Sequence, residues 1–121
     1  MSLQKRVILI GNYHELSAIA VLLQKESFLV EIIERFDVAL LAAKKPPAPK
    51  AIIFVLPTYW QDITGFVKAI GSSLPGTKFI YVGSLVEGAD QAVLQAHNVL
   101  TFTLGPVPKE ELARFITKLL W

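Results

Sequence analysis

The sequence predicts an α/β fold: one domain over residues 1–121, in which five parallel strands form a doubly wound sheet with helices on both faces. Two patterns support this fold. Short, β-branched apolar runs recur along the chain, and such runs are typical of parallel strands covered on both sides. Between them, apolar residues recur at the helical spacing i, i+3, i+4 and i+7. This alternation favours a sheet built from right-handed βα units.

The predicted strands are bounded by turn-forming residues. They lie at residues 7–10, 28–33, 51–56, 79–82 and 99–104. Glu31 interrupts the second run, and Thr101 and Thr103 interrupt the fifth, which indicates that these two strands are the less buried. For five strands in one small domain we expect the strand order 2-1-3-4-5.

Four of the five predicted helices carry an apolar face. The faces are Leu16, Ile19, Ala20 and Leu23; Ile63, Phe66, Val67 and Ile70; Ala89, Ala92, Val93 and Ala96; and Leu112, Phe115, Ile116 and Leu119. A shorter helix is expected over residues 38–44, with Asp37 as its N-cap and prolines beyond its end. We expect the proline-rich segment 44–50 to be a solvated loop away from the functional end of the sheet.

Composition excludes several classes of function. The chain is 53% hydrophobic and 18% charged, with a formal net charge of +2, which argues against nucleic-acid binding. It has no cysteine, so disulfides, thiolate metal sites and a Cys nucleophile are excluded. No apolar run reaches the roughly 18 residues of a membrane span, and the first residues lack a signal-peptide core. We therefore expect a cytoplasmic protein that binds neither nucleic acid nor membrane.

Candidate functional residues lie at the predicted carboxyl ends of the strands, where open α/β sheets bind their ligands. Gly11 and Asn12 follow the first strand, and Pro57 to Trp60 follow the third. Gly83-Ser84 and Gly105-Pro106 follow the fourth and fifth.

At these positions the chain resembles the receiver domains of two-component response regulators over essentially its whole length. The segment 105–112, GPVPKEEL, looks like the family's Lys-Pro-Phe stretch and the Glu-Leu helix that follows it. Pro106 matches the family proline, and Gly65 matches a glycine near the start of the third helix. The resemblance implies the flavodoxin-like (βα)5 fold and a role in signal transduction or a phosphorelay.

The residues of receiver phosphorylation are missing at the matching positions. Gly11 and Asn12 replace the acidic pair that holds magnesium, and Leu56 or Pro57 replaces the acceptor aspartate. Gly83, with Ser84 next to it, replaces the hydroxyl residue, Gly105 replaces the lysine, and Phe102 keeps the aromatic switch ring. Magnesium requires hard oxygen ligands, and phosphoryl transfer requires both the cation and the acceptor. We therefore predict no aspartyl phosphorylation, no metal, no cofactor and no catalytic residue.

Other chemistries have weaker support. His14 and Glu15 are interpreted as polar residues at a helix start, because adjacent helical residues do not face each other. Asp62 lies too far past the third strand to replace the acceptor, and His97 is expected at the opposite end of the sheet. The chain has neither nucleotide-binding glycine motif nor a G-x-S-x-G elbow.

Two functions remain open. The first is a pseudo-receiver: a protein-interaction module, not an enzyme, that works without phosphate. By resemblance its partners, or a second copy in a homodimer, would contact the face of the fourth helix, fifth strand and fifth helix. The second is a small-molecule sensor or enzyme whose pocket lies at the strand ends. Candidate partner or ligand contacts are Tyr59, Trp60, Phe102, Pro106 and Trp121, although Tyr59-Trp60 is interpreted first as a lid that packs on the sheet end.

Overall fold

The computed structural model describes residues 5–11, 13–45, 47–55, 60–74, 76–83, 92, 94–103 and 109–120. Its five strands are β1 (Lys5–Ile10), β2 (Phe28–Ile33), β3 (Ala51–Val55), β4 (Lys78–Gly83) and β5 (Val99–Thr103). All neighbouring strands pair in parallel. The order is β2-β1-β3-β4-β5, which confirms the predicted fold class and strand order.

Four helices are described over their full length, namely α1 (Tyr13–Lys25), α2 (Phe36–Lys44), α3 (Trp60–Ile70) and a C-terminal helix (Lys109–Leu120). A 3-10 turn at Gly71–Ser73 follows α3. Ala92 and residues 94–96 are also helical, where the sequence predicts a further helix. Within the described residues, no helix is both long and apolar enough to cross a membrane.

The apolar core has two parts, one on each face of the sheet. Because side chains alternate along a strand, Val7 and Leu9 of β1 face α1 and the C-terminal helix. Ile8 and Ile10 face the other side, where α2, α3 and Leu94 pack. This double coverage explains the continuous apolar runs of the central strands.

The edge strands are less covered than the central ones. Residues 6–10 of β1 are all buried, whereas Leu29 of β2 and Leu100 of β5 are 47% and 42% exposed. The prediction that the second strand is less buried is therefore confirmed. In β5 the exposure of Leu100 agrees with the prediction, while the side chains of residues 101–103 lie outside the described part of the chain.

The predicted apolar faces agree with the structure in α1 and α3 and need correction elsewhere. All four residues of the α1 face are buried, as are Phe66, Val67 and Ile70 of α3. In the C-terminal helix, however, Phe115 is 40% exposed and the buried residues are Ala113, Ile116 and Leu120. At the preceding helical residues Leu94 is buried while Ala92 and Ala96 are exposed, because the larger side chain occupies the core.

Helix α2 begins earlier than the sequence predicts. Its N-cap is Arg35, whose carbonyl accepts a hydrogen bond from the Ala39 amide at 3.0 Å. Asp37 therefore lies in the first turn and is not the cap. The earlier start places Phe36 in the first turn, where its ring packs against Phe54 of the sheet and Phe66 of α3.

The segment 44–50 lies before β3, at the amino ends of the strands as predicted, but it is anchored and not merely solvated. Arg6, only 6% exposed, donates hydrogen bonds to the carbonyl oxygens of Ala42, Lys45 and Pro47 at 2.6–3.0 Å. Its Nε also pairs with Glu31. The Thr77 hydroxyl donates to the Pro49 carbonyl at 2.6 Å, so β1 and the start of β4 both hold this segment.

Candidate functional site

The carboxyl ends of β1, β3 and β4 lie side by side in the sheet. Ile10 is in register with Phe54, and Val55 is in register with Val82. Gly11 directly follows β1, and Gly83 is the last residue of β4, opposite Thr103. The fold therefore brings together the strand ends at which the sequence predicts functional residues.

Gly11 is the residue at which the resemblance to receivers predicts the first member of the acidic pair. Its amide donates to the Ile33 carbonyl at 3.1 Å, which ties the end of β1 to the end of β2. Its φ is 155°, a backbone conformation that glycine adopts more readily than a residue with a Cβ. The backbone at this position is thus suited to glycine and poorly suited to a carboxylate side chain.

Several predicted site residues lie outside the described residues. These are Asn12, Leu56, Pro57, Tyr59, Ser84, Gly105, Pro106 and Trp121. Trp60 is the first residue of α3, and Phe102 lies in β5 in register with Val82. Asp62 lies in the first turn of α3, and His14 and Glu15 lie in the first turn of α1, so these three residues belong to helix starts.

An aromatic cluster supports this end of the sheet on the α2–α3 side. The rings of Phe36 and Phe54 stack at a centroid distance of 5.9 Å, and Phe66 meets both edge-on at 5.9 and 5.6 Å. Aromatic pairs of this geometry contribute about 0.5–1.5 kcal/mol beyond burial of their area. The cluster makes the base beneath the strand ends rigid and apolar.

Three charged residues described at this end, Glu34, Arg35 and Asp37, follow the edge strand β2, and of these the sequence suggested a role only for Asp37, as a helix cap. Glu34 comes directly after Ile33, the hydrogen-bond partner of Gly11. Arg35 and Asp37 pair with each other at 2.7 Å, and both side chains are largely exposed. An exposed pair of this kind contributes little to stability. The signal that could have revealed Glu34 is its position immediately after an apolar run.

No metal-binding cluster is found among the residues that the structure describes. No group of three or more His, Asp or Glu side chains lies close enough together there to hold an ion. The remaining titratable group of note is Tyr81 of β4, where burial raises the pKa of the phenol above its usual value. The neutral phenol belongs to the core between the sheet and α3.

His97 lies at the other end of the sheet, as predicted. It occupies the turn before β5, where its amide donates to the Leu94 carbonyl at 3.1 Å. Asn98 follows with a φ of 61°, a left-handed conformation that asparagine tolerates better than most residues. Neither residue can reach the strand ends at which the candidate site lies.

The fold is that of response regulator receiver domains. A CheY-like receiver domain from Methanospirillum hungatei superposes with a TM-score of 0.80 at 18% identity, covering 98% of this chain and 94% of that one. CheY4 of Vibrio cholerae gives the same TM-score and identity, covering 98% and 100%. The pilus assembly protein CpaE of Caulobacter crescentus has a TM-score of 0.69 at 16% identity, covering 95% and 92%.

No protein-family model matches the chain, and no curated protein is similar to it in sequence. The likeness to receiver domains therefore lies in the fold.

Proposed function

We propose that this chain is a pseudo-receiver, a signalling module that binds protein partners without being phosphorylated. The observation that carries this proposal is the chemistry of the strand ends. On a receiver fold, the positions of the metal-binding pair and the acceptor are Gly11, Asn12 and Leu56 or Pro57, and the lysine position is Gly105. None of these side chains supplies the negative charge that holds magnesium, and none is a carboxylate that could accept a phosphoryl group.

The conformation of Gly11 supports the same proposal. A carboxylate at this position would require the backbone to leave the φ of 155° that it adopts. Glu34 at the neighbouring strand end is a single carboxylate, whereas a magnesium ion held for phosphoryl transfer is bound through carboxylates together with the phosphate. The proposed module thus has the receiver fold but lacks the residues for aspartyl phosphorylation.

The proposed contact surface is the face formed by Ala92, Ala96, β5 and the C-terminal helix. Ala92 and Ala96 are exposed, as are the larger apolar side chains of Leu100 and Phe115. Small residues allow close approach of a partner, and exposed apolar side chains are typical of contact surfaces. The similarity to a protein named for pilus assembly is consistent with such a role, because one fold serves different outputs.

The phosphorylation half of the proposal is tested by intact-mass measurement. The chain is incubated with acetyl phosphate and magnesium, beside a receiver domain that retains its acceptor aspartate as the positive control. We expect the control to gain the mass of one phosphoryl group and this chain to gain none. A stable single phosphoryl adduct on this chain would contradict the proposal.

A further inference from the structure

Exposed lysines lie together at the amino ends of the strands, opposite the candidate site. In parallel βα units every strand begins, and every helix ends, at this end of the sheet. The exposed lysines found in the last turns of helices, or directly before or at the start of a strand, are Lys25, Lys44, Lys45, Lys50, Lys68, Lys78 and Lys118. We call this set the basic end surface.

Few carboxylates lie near the basic end surface. Among the residues whose side chains are described, those at this end are Glu26 and Glu31, and Glu31 is paired with Arg6. The other described carboxylates follow a strand or begin a helix at the opposite end, namely Glu34, Asp37, Glu110 and Glu111. Within the described part of the chain, no lysine of the basic end surface forms an ion pair. Positive charge is therefore concentrated at one end of a chain whose net charge is only +2.

The helix dipole explains only part of this arrangement. A lysine in the last turn of a helix is stabilised by the negative end of the dipole, which accounts for Lys25, Lys44, Lys68 and Lys118. Lys50 and Lys78 are different, because Lys50 precedes β3 and Lys78 begins β4. These two lysines therefore require another explanation.

Lys50 and Lys78 are held side by side on neighbouring strands. The Lys78 amide donates to the Lys50 carbonyl at 3.0 Å. The residues just before them are also joined, because the Thr77 hydroxyl donates to the Pro49 carbonyl at 2.6 Å. Like charges repel, and a fixed backbone prevents the two positions from moving apart. An anionic partner would relieve this repulsion.

We propose that the basic end surface binds an acidic segment of a partner protein. The only arginine described at this end is Arg6, which is buried, whereas recognition of phosphate groups favours exposed arginine forks. Lysine ammonium groups are point charges that suit carboxylates distributed along a flexible segment. The proposal rests on the proposed function in that the partner is a protein, but it uses a surface separate from the strand ends and from the β5 face.

The test is an amide NMR titration with a peptide in which Glu alternates with Ser. Its matched control is the same peptide with Gln in place of Glu. We expect chemical-shift changes centred on the amides of Lys45, Lys50 and Lys78, and an affinity that falls as salt is added. Lys50→Glu should weaken binding at least about fivefold. Arg35→Glu, which changes the net charge by the same amount at the other end of the sheet, should change it less than about twofold.

Four results would overturn the proposal. The first is equal affinity for the Glu and Gln peptides, and the second is a set of shift changes centred elsewhere, or none at millimolar peptide. The third is an equal effect of Lys50→Glu and Arg35→Glu. The fourth is tighter binding of a single-stranded oligonucleotide of the same charge, which would make the partner a nucleic acid. Both substituted residues are exposed, and the amide spectra of the variants report whether they fold. Failure here would leave the intact-mass result on phosphorylation unchanged, so the two proposals can fail separately.

Discussion

At the scale of single residues, Arg6 shows how a charged side chain is accommodated inside an apolar sheet. It lies on β1 between buried residues, and its guanidinium group satisfies carbonyls at the end of α2 and in the following segment. Carbonyls at a helix C-terminus lack intrahelical partners and carry partial negative charge. Arg6 is therefore both the cap of α2 and the anchor of the segment before β3.

We expect Arg6→Met to lower the free energy of unfolding by about 2–4 kcal/mol, because the carbonyls of Lys45 and Pro47 would lose this donor, Ala42 would keep only the Lys45 amide, and Glu31 would lose its partner. Urea unfolding followed by circular dichroism measures this change. Glu31→Gln is the matched control, since it removes the charge of the partner and keeps an oxygen acceptor. Because the Glu31 side chain is 37% exposed, its substitution should cost about 1 kcal/mol or less. Equal losses in both variants would show that the ion pair, and not the carbonyl cap, holds this region.

At the scale of elements, the C-terminal helix shows where sequence periodicity is ambiguous. Ile116 belongs both to the predicted face with Phe115 and Leu119 and to the observed face with Ala113 and Leu120. Two overlapping faces fit the helical period. Leu119 is also partly buried against the same core cluster, so the prediction is wrong for Phe115, while the side chain of Leu112 lies outside the described part of the helix. Packing against the sheet and α1 decides, since Ala113, Ile116 and Leu120 belong to the same core cluster as Leu16 and Leu23 of α1.

Two adjacent substitutions separate these faces. Ile116→Ala should lower the free energy of unfolding by about 2–5 kcal/mol, since it removes a fully buried side chain. Phe115→Ala should cost about 1–2 kcal/mol, because full burial of a side chain is worth about 1.5–3 kcal/mol and Phe115 is 40% exposed. Chemical denaturation of both variants measures the difference. If Phe115→Ala lowers the free energy of unfolding more than Ile116→Ala does, the predicted face is the one that packs on the sheet.

The strands were more predictable from sequence than the site was. Continuous β-branched runs such as those of β1 and β3 are typical of strands covered on both faces. The number of runs therefore indicates the number of strands, and the interrupted runs indicate the edge strands. Arg6 and Glu31 could not be paired in this way, since their contact depends on the register of β1 with β2. Likewise, the aromatic cluster joins Phe36, Phe54 and Phe66, and no local pattern links the three.

At the scale of the whole molecule, the sheet separates three surfaces. The carboxyl ends of the strands carry Gly11 and Gly83, where we propose that the phosphorylation chemistry has been lost, and the amino ends border an open cavity beside Lys68. The β5 edge and the C-terminal helix present exposed Leu100 and Phe115. Since the two core clusters pack on opposite faces of one sheet, substitutions on these surfaces can change binding without opening the core.

Self-association through the β5 edge is the form of partner binding that can be tested with this chain alone. Leu100 faces the same side of the sheet as its register partner Ile80, and that side also packs the C-terminal helix bearing Phe115. In a two-fold symmetric dimer, Leu100 and Phe115 of both copies would lie in the interface, so each substitution removes two contacts. We therefore expect the double variant Leu100→Glu/Phe115→Glu to weaken self-association by at least about tenfold, or about 1.4 kcal/mol, in sedimentation equilibrium.

The matched control is Val38→Glu/Leu41→Glu on α2, whose side chains are 45% and 65% exposed and lie on the other face of the sheet. An equal effect of the two double variants, or a wild-type chain that stays monomeric at all concentrations, would contradict a homodimer at this edge. The second outcome would direct the search to a different protein as the partner of the same surface.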